Sequence, residues 1–549
     1  MAQGSTPLRS GSGHGAVVRG LMTSANSRRF EGRFGRMFRT LPAAAFADAD
    51  LDKLATAMSA APENGVTPET EVDDEENFGI PAGYTYFGQF IDHDITFDPT
   101  SSLDKQNDPD ALIDYRTPRL DLDSLYGRGP EDQPYMYDPN GRLFLLGDAI
   151  HGGEPDHVLT HDLARFRGRA LIGDKRNDEN VIVSQLQGLF LRFHNELARE
   201  NADLPFSEIQ RLVRWHYQWL ALYDFLPRIV GREQMEQVLP HLKHGGNVVD
   251  HPPQLNFYKV HSDPFMPVEF SGAAYRFGHS MVRPVYRLSA KDLPENLKPG
   301  QKPTKGLGGR KMIFGPTPGN GLNGFQPVAS TWGIDWRLFF DTRGHKALSS
   351  RNLGKDRVQP AYKIDTSLVS PLSALPEFSK NGTNTPKPGA INILALRNLK
   401  RGVALGLPSG QRVAELMGLK PLPDDALLVG KANVDGLKTN RSITTFGNSF
   451  IENAPLWFYV LAEAQHHWKL AAARKSSAKE KNSVHTRLGP VGGRIVAEVI
   501  IGLVLGDQNS FLSQQPNWHP TLGNKRPTSA FDRFTVGDLA EAVGAARPA

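Results

Sequence analysis

The chain has 549 residues, no cysteine, and 63 basic against 59 acidic side chains for a net charge of +4. Without cysteine there are no disulfides, thiolate-held zinc sites, iron–sulfur clusters or thiol nucleophiles, so any metal must be held by His, Asp, Glu or carbonyl oxygens. So small a net charge gives no footprint for nucleic acid or an anionic membrane surface, and no apolar run approaches the ~18–20 residues of a membrane span.

Length alone favours two or more domains. Residues 1–30 are rich in Gly and Ser, lack the apolar core of a Sec-type leader, and are expected to be a flexible segment. The first informative stretch is Phe87–Phe97, FGQFIDHDITF, where His93 stands between Asp92 and Asp94 among large apolar residues. Buried carboxylates need a cation or a covalent partner. At about 100° per residue, a helix here puts Gln89 and His93 on one face with Asp92 at its border. Asp94 then points to the opposite side, so the two carboxylates serve different sites.

Thr117–Asp123, TPRLDLD, places Thr117, Arg119, Asp121 and Asp123 at alternate positions. Alternating oxygen donors in an extended loop can wrap a hard cation, with Arg119 offering only its carbonyl. A D-x-D turn is also common on solvated surfaces. Gly173–Asn180, GDKRNDEN, carries Arg176 and Glu179 three apart, just before the first strong helix pattern. In that helix Leu186, Leu189, Phe190, Phe193 and Leu197 line one face. The next helix is expected to open on a Ser207/Gln210 capping box and to end at Pro227. Tyr275–Pro284, YRFGHSMVRP, holds a lone His279 among apolar residues. The Gly/Pro/Lys-rich stretch 292–327 reads as a long loop. Its GNGLNG, Gly319–Gly324, lacks the flanking strand and helix of a dinucleotide site and reads as a turn. Further helices are expected at 454–472 and 493–506. His157 and His161 fall i, i+4 but lack the glutamate of a zinc protease helix. His194 and His216 read as packed structural residues, and His466 and His467 as exposed helix residues.

Taken together, FGQFIDHDITF, TPRLDLDSLYG, GDKRNDENVIVSQLQGLFLRFHNELA, YRFGHSMVRP and NILALRNLKRGVALGLPSGQ closely resemble the animal haem peroxidase family of the peroxidase–cyclooxygenase superfamily, nearest its peroxinectin-like bacterial members. The resemblance runs from about residue 30 to the end of the chain. It implies a mainly α fold with few short strands, built as one haem peroxidase domain over 31–549. It also implies reduction of hydrogen peroxide and oxidation of halide, pseudohalide or aromatic donors. His93 matches the distal histidine, Arg176 the distal arginine and Gln89 a distal-pocket glutamine. His279 matches the proximal ligand of the haem iron, and Asn398 the acceptor for its other ring nitrogen. Arg276 matches an arginine near the haem propionates. Asp92 and Glu179 match carboxylates that ester-link haem b. Asp94, Thr117, Arg119, Asp121 and Asp123 match a Ca²⁺ site.

Some positions depart from mammalian members. Asn180 stands where they have a methionine that forms a sulfonium link, which makes chloride a poorer substrate guess than bromide, iodide, thiocyanate or phenols. Asp123 stands where they often have serine. The cyclooxygenase and α-dioxygenase branches carry a radical tyrosine three residues before the proximal histidine, where this chain has Arg276; Tyr275 is expected to face elsewhere. A fatty-acid dioxygenase and an adhesion protein on the same scaffold are the rival readings, the latter without an RGD or KGD triplet. A calcium site favours an extracellular setting, reached by a non-Sec route, with the cytoplasm as the alternative.

Overall fold

The computed structural model describes residues 34–62, 74–97, 114, 116–151, 158–259, 264–289, 310–315, 321–342, 357–380, 385–520 and 534–544. Segment 1–30, His157 and most of 292–327 therefore lie outside the described residues. The architecture is mainly α. Among the described residues the strands form six two-stranded sheets. Glu76–Pro81 (β1) pairs antiparallel with Pro360–Tyr362 (β4). Leu146–His151 (β2) pairs antiparallel with Val158–Leu163 (β3). His161 lies in β3, opposite Ala149, in a strand rather than a helix.

The site is positioned by helix α1, Gly83–Ile95, which enters directly from β1. Its aromatic side chains bury it against two long helices. Phe90 stacks on Phe190 at 4.8 Å, and Phe87 meets the edges of Tyr217 and Phe225. Phe190 belongs to α2, Val181–Glu200, whose cap is Asn180: its side chain accepts from the Ile182 and Val183 amides at 3.1 and 2.9 Å. Tyr217 belongs to α3, Phe206–Trp219. Two expectations about α3 fail. Its cap is extended Pro205, which puts Ser207 inside the first turn, and no side-chain cap forms. It also does not stop at Pro227: a π-helical turn, Leu220–Phe225, leads into a further helical segment, Leu226–Val230. Pro227 falls in the first turn of that segment, just after the π turn, where its missing N–H is tolerated.

Behind these lie α4, Leu394–Ala404, α5, Leu456–Ala473, and α6, Pro490–Gly506. The last two match the expected helices. The start of α6 has no side-chain cap of its own; Glu463 of α5 accepts from the Val491 and Gly492 amides instead, at 3.0 and 3.2 Å. Gly492 lets the two helices approach, since a Cβ there would lie 2.6 Å from Val460. One contiguous apolar core runs through these elements from Phe38 to Val543. Among the described residues no helix is long and apolar enough to cross a membrane.

Candidate active site and cation loop

The helical reading of Phe87–Phe97 holds: α1 runs to Ile95, and its two faces separate the carboxylates. On one face His93 is 4% exposed. Its Nδ1 lies 2.7 Å from Asn177 Oδ1, and its Nε2 lies 3.6 Å from Glu179 Oε1. Burial, aided by Arg176, pushes the imidazole down to about 4, so the ring is neutral near pH 7. Gln89 hydrogen-bonds Glu179 and accepts from Asn180 Nδ2 at 3.2 Å. Asp92 is half-buried and accepts from Thr96 Oγ1 at 3.2 Å.

Arg176 is fixed from behind. Its Nη2 donates to the carbonyls of His93 (3.0 Å) and Thr96 (2.6 Å) and to Asp174 (2.8 Å), and its guanidinium covers the Phe97 ring at 4.6 Å. The carboxyl group of Glu179 is pushed up to about 7, chiefly by burial. Yet its side chain is 35% accessible. The carboxyl group therefore reaches open space while packed among charged neighbours.

His279 lies in the 3-10 turn Ala274–His279. Its Nδ1 is 2.8 Å from the Asn398 amide on α4, joining residues 119 positions apart. The amide nitrogen faces the ring, whereas the sequence reading expects the amide oxygen. A half-turn of the amide exchanges two atoms of nearly equal shape and makes Oδ1 the acceptor. Burial, with Arg276 and Arg401, pushes this imidazole down to about 3. No hydrogen bond reaches its Nε2 among the described residues. Arg276 donates to the Ser271 carbonyl at 2.9 Å and is pushed down to about 9 by burial, then by Arg401. It also feels Asp92 and Arg176. The segment bearing His279 and the face bearing His93 therefore share one electrostatic neighbourhood.

A haem fits this neighbourhood on three observations. Gln89, Asp92, Arg176, Glu179, Arg276 and His279 are partly accessible although they sit in largely buried segments. A Cβ added at Gly278 would meet nothing within 4 Å, so there is open space beside His279. Arg276, Arg397 and Arg401 disfavour one another's charge, which suits an acidic ligand. The Tyr275 ring stacks on Phe270 and packs against α1, its buried hydroxyl 3.8 Å from where a Cβ on Gly88 would be and without a hydrogen-bond partner among the described residues.

On the other face of α1, Asp94 accepts from the Leu122 amide (3.1 Å), the Ser124 amide (3.3 Å) and the Ser124 hydroxyl (3.0 Å). Ligand atoms of Asp94, Asp121 and Asp123 all lie within 4.8 Å of one another. Thr117 Oγ1 donates to Asp121 at 2.8 Å, and Arg119 is in the same turn, its amide 2.7 Å from the Thr117 carbonyl. Leu122 holds φ 57°, a conformation rare for leucine, and so points its amide at Asp94. Burial and the two neighbouring carboxylates raise Asp94 well above the usual range. A hard divalent cation fits this donor set.

Sequence reading missed four residues that hold the site. Asn177 touches His93, and Gln187 touches Asn177 at 2.9 Å. Asp174 grips Arg176, and Arg116 joins Asp174 to Asp123, at 2.7 and 3.2 Å. Only the GDKR local spacing hinted at Asp174.

Residues 100–327 match the family model described as animal haem peroxidase. Over this segment the chain is similar to the animal haem peroxidase family. Chorion peroxidase of Drosophila melanogaster is 35% identical over 57% of this chain and 35% of its own length. Eosinophil peroxidase of Mus musculus is 31% identical over 28% of the chain and 20% of its own length. A peroxidase-like protein of Margaritifera margaritifera is 27% identical over 39% and 33%. The chain thus spans between a fifth and about a third of these relatives. Among solved structures, peroxidase A of Dictyostelium discoideum matches with a TM-score of 0.57 at 14% identity, over 96% of both chains. A fatty acid α-dioxygenase of Arabidopsis thaliana matches with a TM-score of 0.52 at 13% identity, over 94% of this chain and 78% of its own. Both show a shared fold.

Proposed function

We propose that this chain is a haem peroxidase that reduces hydrogen peroxide and oxidises a halide, pseudohalide or aromatic donor. The observation that carries the reading is that the turn bearing His279 packs against the helix bearing His93: the Tyr275 hydroxyl lies 3.8 Å from where a Cβ on Gly88 would be, and Arg276 feels both Asp92 and Arg176. His279 would hold the haem iron through Nε2, with Asn398 Oδ1 accepting from Nδ1 and keeping the metal-bound nitrogen basic. Arg276 and Arg401 would pair with the propionates, and Asp92 and Glu179 would form the ester links. Bound haem would supply the two electrons that peroxide takes up and that the donor then replaces.

The protein's own groups manage protons and charge. Neutral His93 takes a proton from the nearer peroxide oxygen at Nε2 and returns it to the departing one. Glu179 lies 3.6 Å from that nitrogen and Gln89 bonds Glu179, so the two would orient the peroxide. Arg176, held through Nε and Nη2, offsets the negative charge on the departing oxygen. Asp94, Thr117, the Arg119 carbonyl, Asp121 and Asp123 would bind Ca²⁺ and lock the helix that presents His93.

A denaturing haem-retention assay with the visible spectrum tests cofactor and ester links together, with His279→Ala expected to lose the bound chromophore. His93→Ala should lower peroxide turnover by about 10²–10⁴-fold. Undiminished turnover sinks the assigned base. Oxygen uptake with a fatty acid and no added peroxide would favour dioxygenation instead.

A further inference from the structure

We propose that Asn177 and Gln187 are positioning residues that fix the tautomer of His93, with the proton on Nδ1 and the Nε2 lone pair free. The inference rests on the peroxidase reading for its purpose and on geometry for its content. Asn177 Oδ1 faces His93 Nδ1 at 2.7 Å, the short end of the range for an N–H···O bond. An amide oxygen only accepts, so the ring nitrogen opposite must donate. Asn177 in turn donates through Nδ2 to Gln187 Oε1 at 2.9 Å, which keeps its oxygen toward the ring.

All three side chains are buried: Asn177 and Gln187 are 0% exposed, so no water screens the choice. The platform is rigid. The Asn177 amide is tied to the Asp174 carbonyl at 3.1 Å. Its neighbour Asp178 receives two hydrogen bonds of 2.7 Å from Arg165, and Asp174 is gripped by Arg116 and Arg176. Reversing the assignment requires both amides to turn together, and that would put the proton on Nε2. His93 could then no longer take a proton from a bound peroxide at that atom. The pair therefore decides whether the imidazole is a base toward the opening or a donor toward it.

The test labels the full chain with ¹⁵N-histidine and reads the ring nitrogens of His93 by long-range ¹⁵N–¹H correlation, assigned by loss of its signals in His93→Gln. The protein is taken as it purifies, with any haem held diamagnetic as the ferrous carbonyl. The parent should show a protonated Nδ1 and a bare Nε2. Asn177→Leu should lose that preference and lower kcat/KM for peroxide by about 10–100-fold, with KM for the donor unchanged. Asn177→Asp, which keeps an acceptor, should restore Nδ1–H and recover at least about tenfold of the lost rate. Gln187→Glu, an acceptor only, should keep Nδ1–H, while Gln187→Leu should give a mixture.

A parent with the proton on Nε2 overturns the proposal, as does Asn177→Leu with unchanged tautomer and rate. If the tautomer depends on Asn177 as stated but the chain holds no haem and turns over no peroxide, the positioning holds and the peroxidase reading falls.

Discussion

Asp174 and Asp94 are both buried to within 1% exposure, and one arginine separates their neighbourhoods, yet they are opposite cases. Burial alone would raise Asp174, but Arg116 and Arg176 overcome it and hold the carboxyl well below the usual range. Asp94 is driven up by burial, and Asp121 and Asp123, which it meets instead, add to that rise. The protein neutralises one carboxylate from within, while the other meets only further carboxylates and hydrogen-bond donors, which is the basis for proposing an outside cation there. The first arrangement suits a permanent support for Arg176. The second, if a cation completes it, would make α1 responsive to what the medium supplies. Arg116 touches both, bonding Asp174 and Asp123.

The sharpest way to break this comparison is to remove the internal pairing. Asp174→Asn leaves Arg116 and Arg176 short of countercharge in a buried setting, and breaking a buried pair costs about 3–5 kcal/mol. Urea unfolding should show that loss. Peroxide turnover should fall with it, because Arg176 loses one of the groups that fix its guanidinium. A variant as stable as the parent would mean that Asp174 is no more matched than Asp94.

A second, slightly smaller effect tests the contrast through neutral buried groups. His216, whose Nδ1 bonds the Leu212 carbonyl at 2.7 Å, is pushed by burial to about 4. Its folded pKa lies below the unfolded one, so the unfolded chain binds more protons between about pH 6.5 and 4. Stability from this group is present above that window and is lost as pH falls through it, by up to about 3 kcal/mol. Glu463 and Asp365, both raised to about 7, act in the opposite direction across the same range, their stabilisation being lost as pH rises from about 4 to 7. Comparing the parent with His216→Leu cancels them. The stability gap should move against the parent as pH drops from 6.5 to 4, and a constant gap would refute the assignment.

The same contrast explains what the sequence could and could not disclose. The split between Asp92 and Asp94 follows from helical geometry alone, and the alternation of Thr117, Arg119, Asp121 and Asp123 is visible in seven consecutive letters. The pairing of His279 with Asn398 came only from resemblance, since 119 residues separate them. Asn177 and Arg116 gave no local signal: their partners His93 and Asp174 lie 84 and 58 positions away, and an asparagine or arginine in a turn reads as solvated. The errors at α3 have the same origin. Ser207 and Gln210 match a local cap pattern, but Pro205 had already set the chain direction, and a π turn let the helical path pass Pro227.

The smallest effect sharpens the comparison most. If Asp94 is left for a cation, Ca²⁺ should stabilise the protein by about 2.7 kcal/mol at a concentration a hundredfold above its Kd. Chelation should remove that gain and lower the melting temperature. Asp94→Asn should then behave differently in the two media. Without cation, burial and two neighbouring carboxylates already favour the neutral acid, so an amide of the same shape should change stability by less than about 0.5 kcal/mol. With Ca²⁺ present, the variant should fail to gain what the parent gains, because a charged ligand has been lost. Asp174→Asn has no such dependence on the medium, since its partners are part of the chain. Equal Ca²⁺ responses in the parent and in Asp94→Asn would show that the three carboxylates are reconciled by protonation alone, and that α1 needs no ion to present His93.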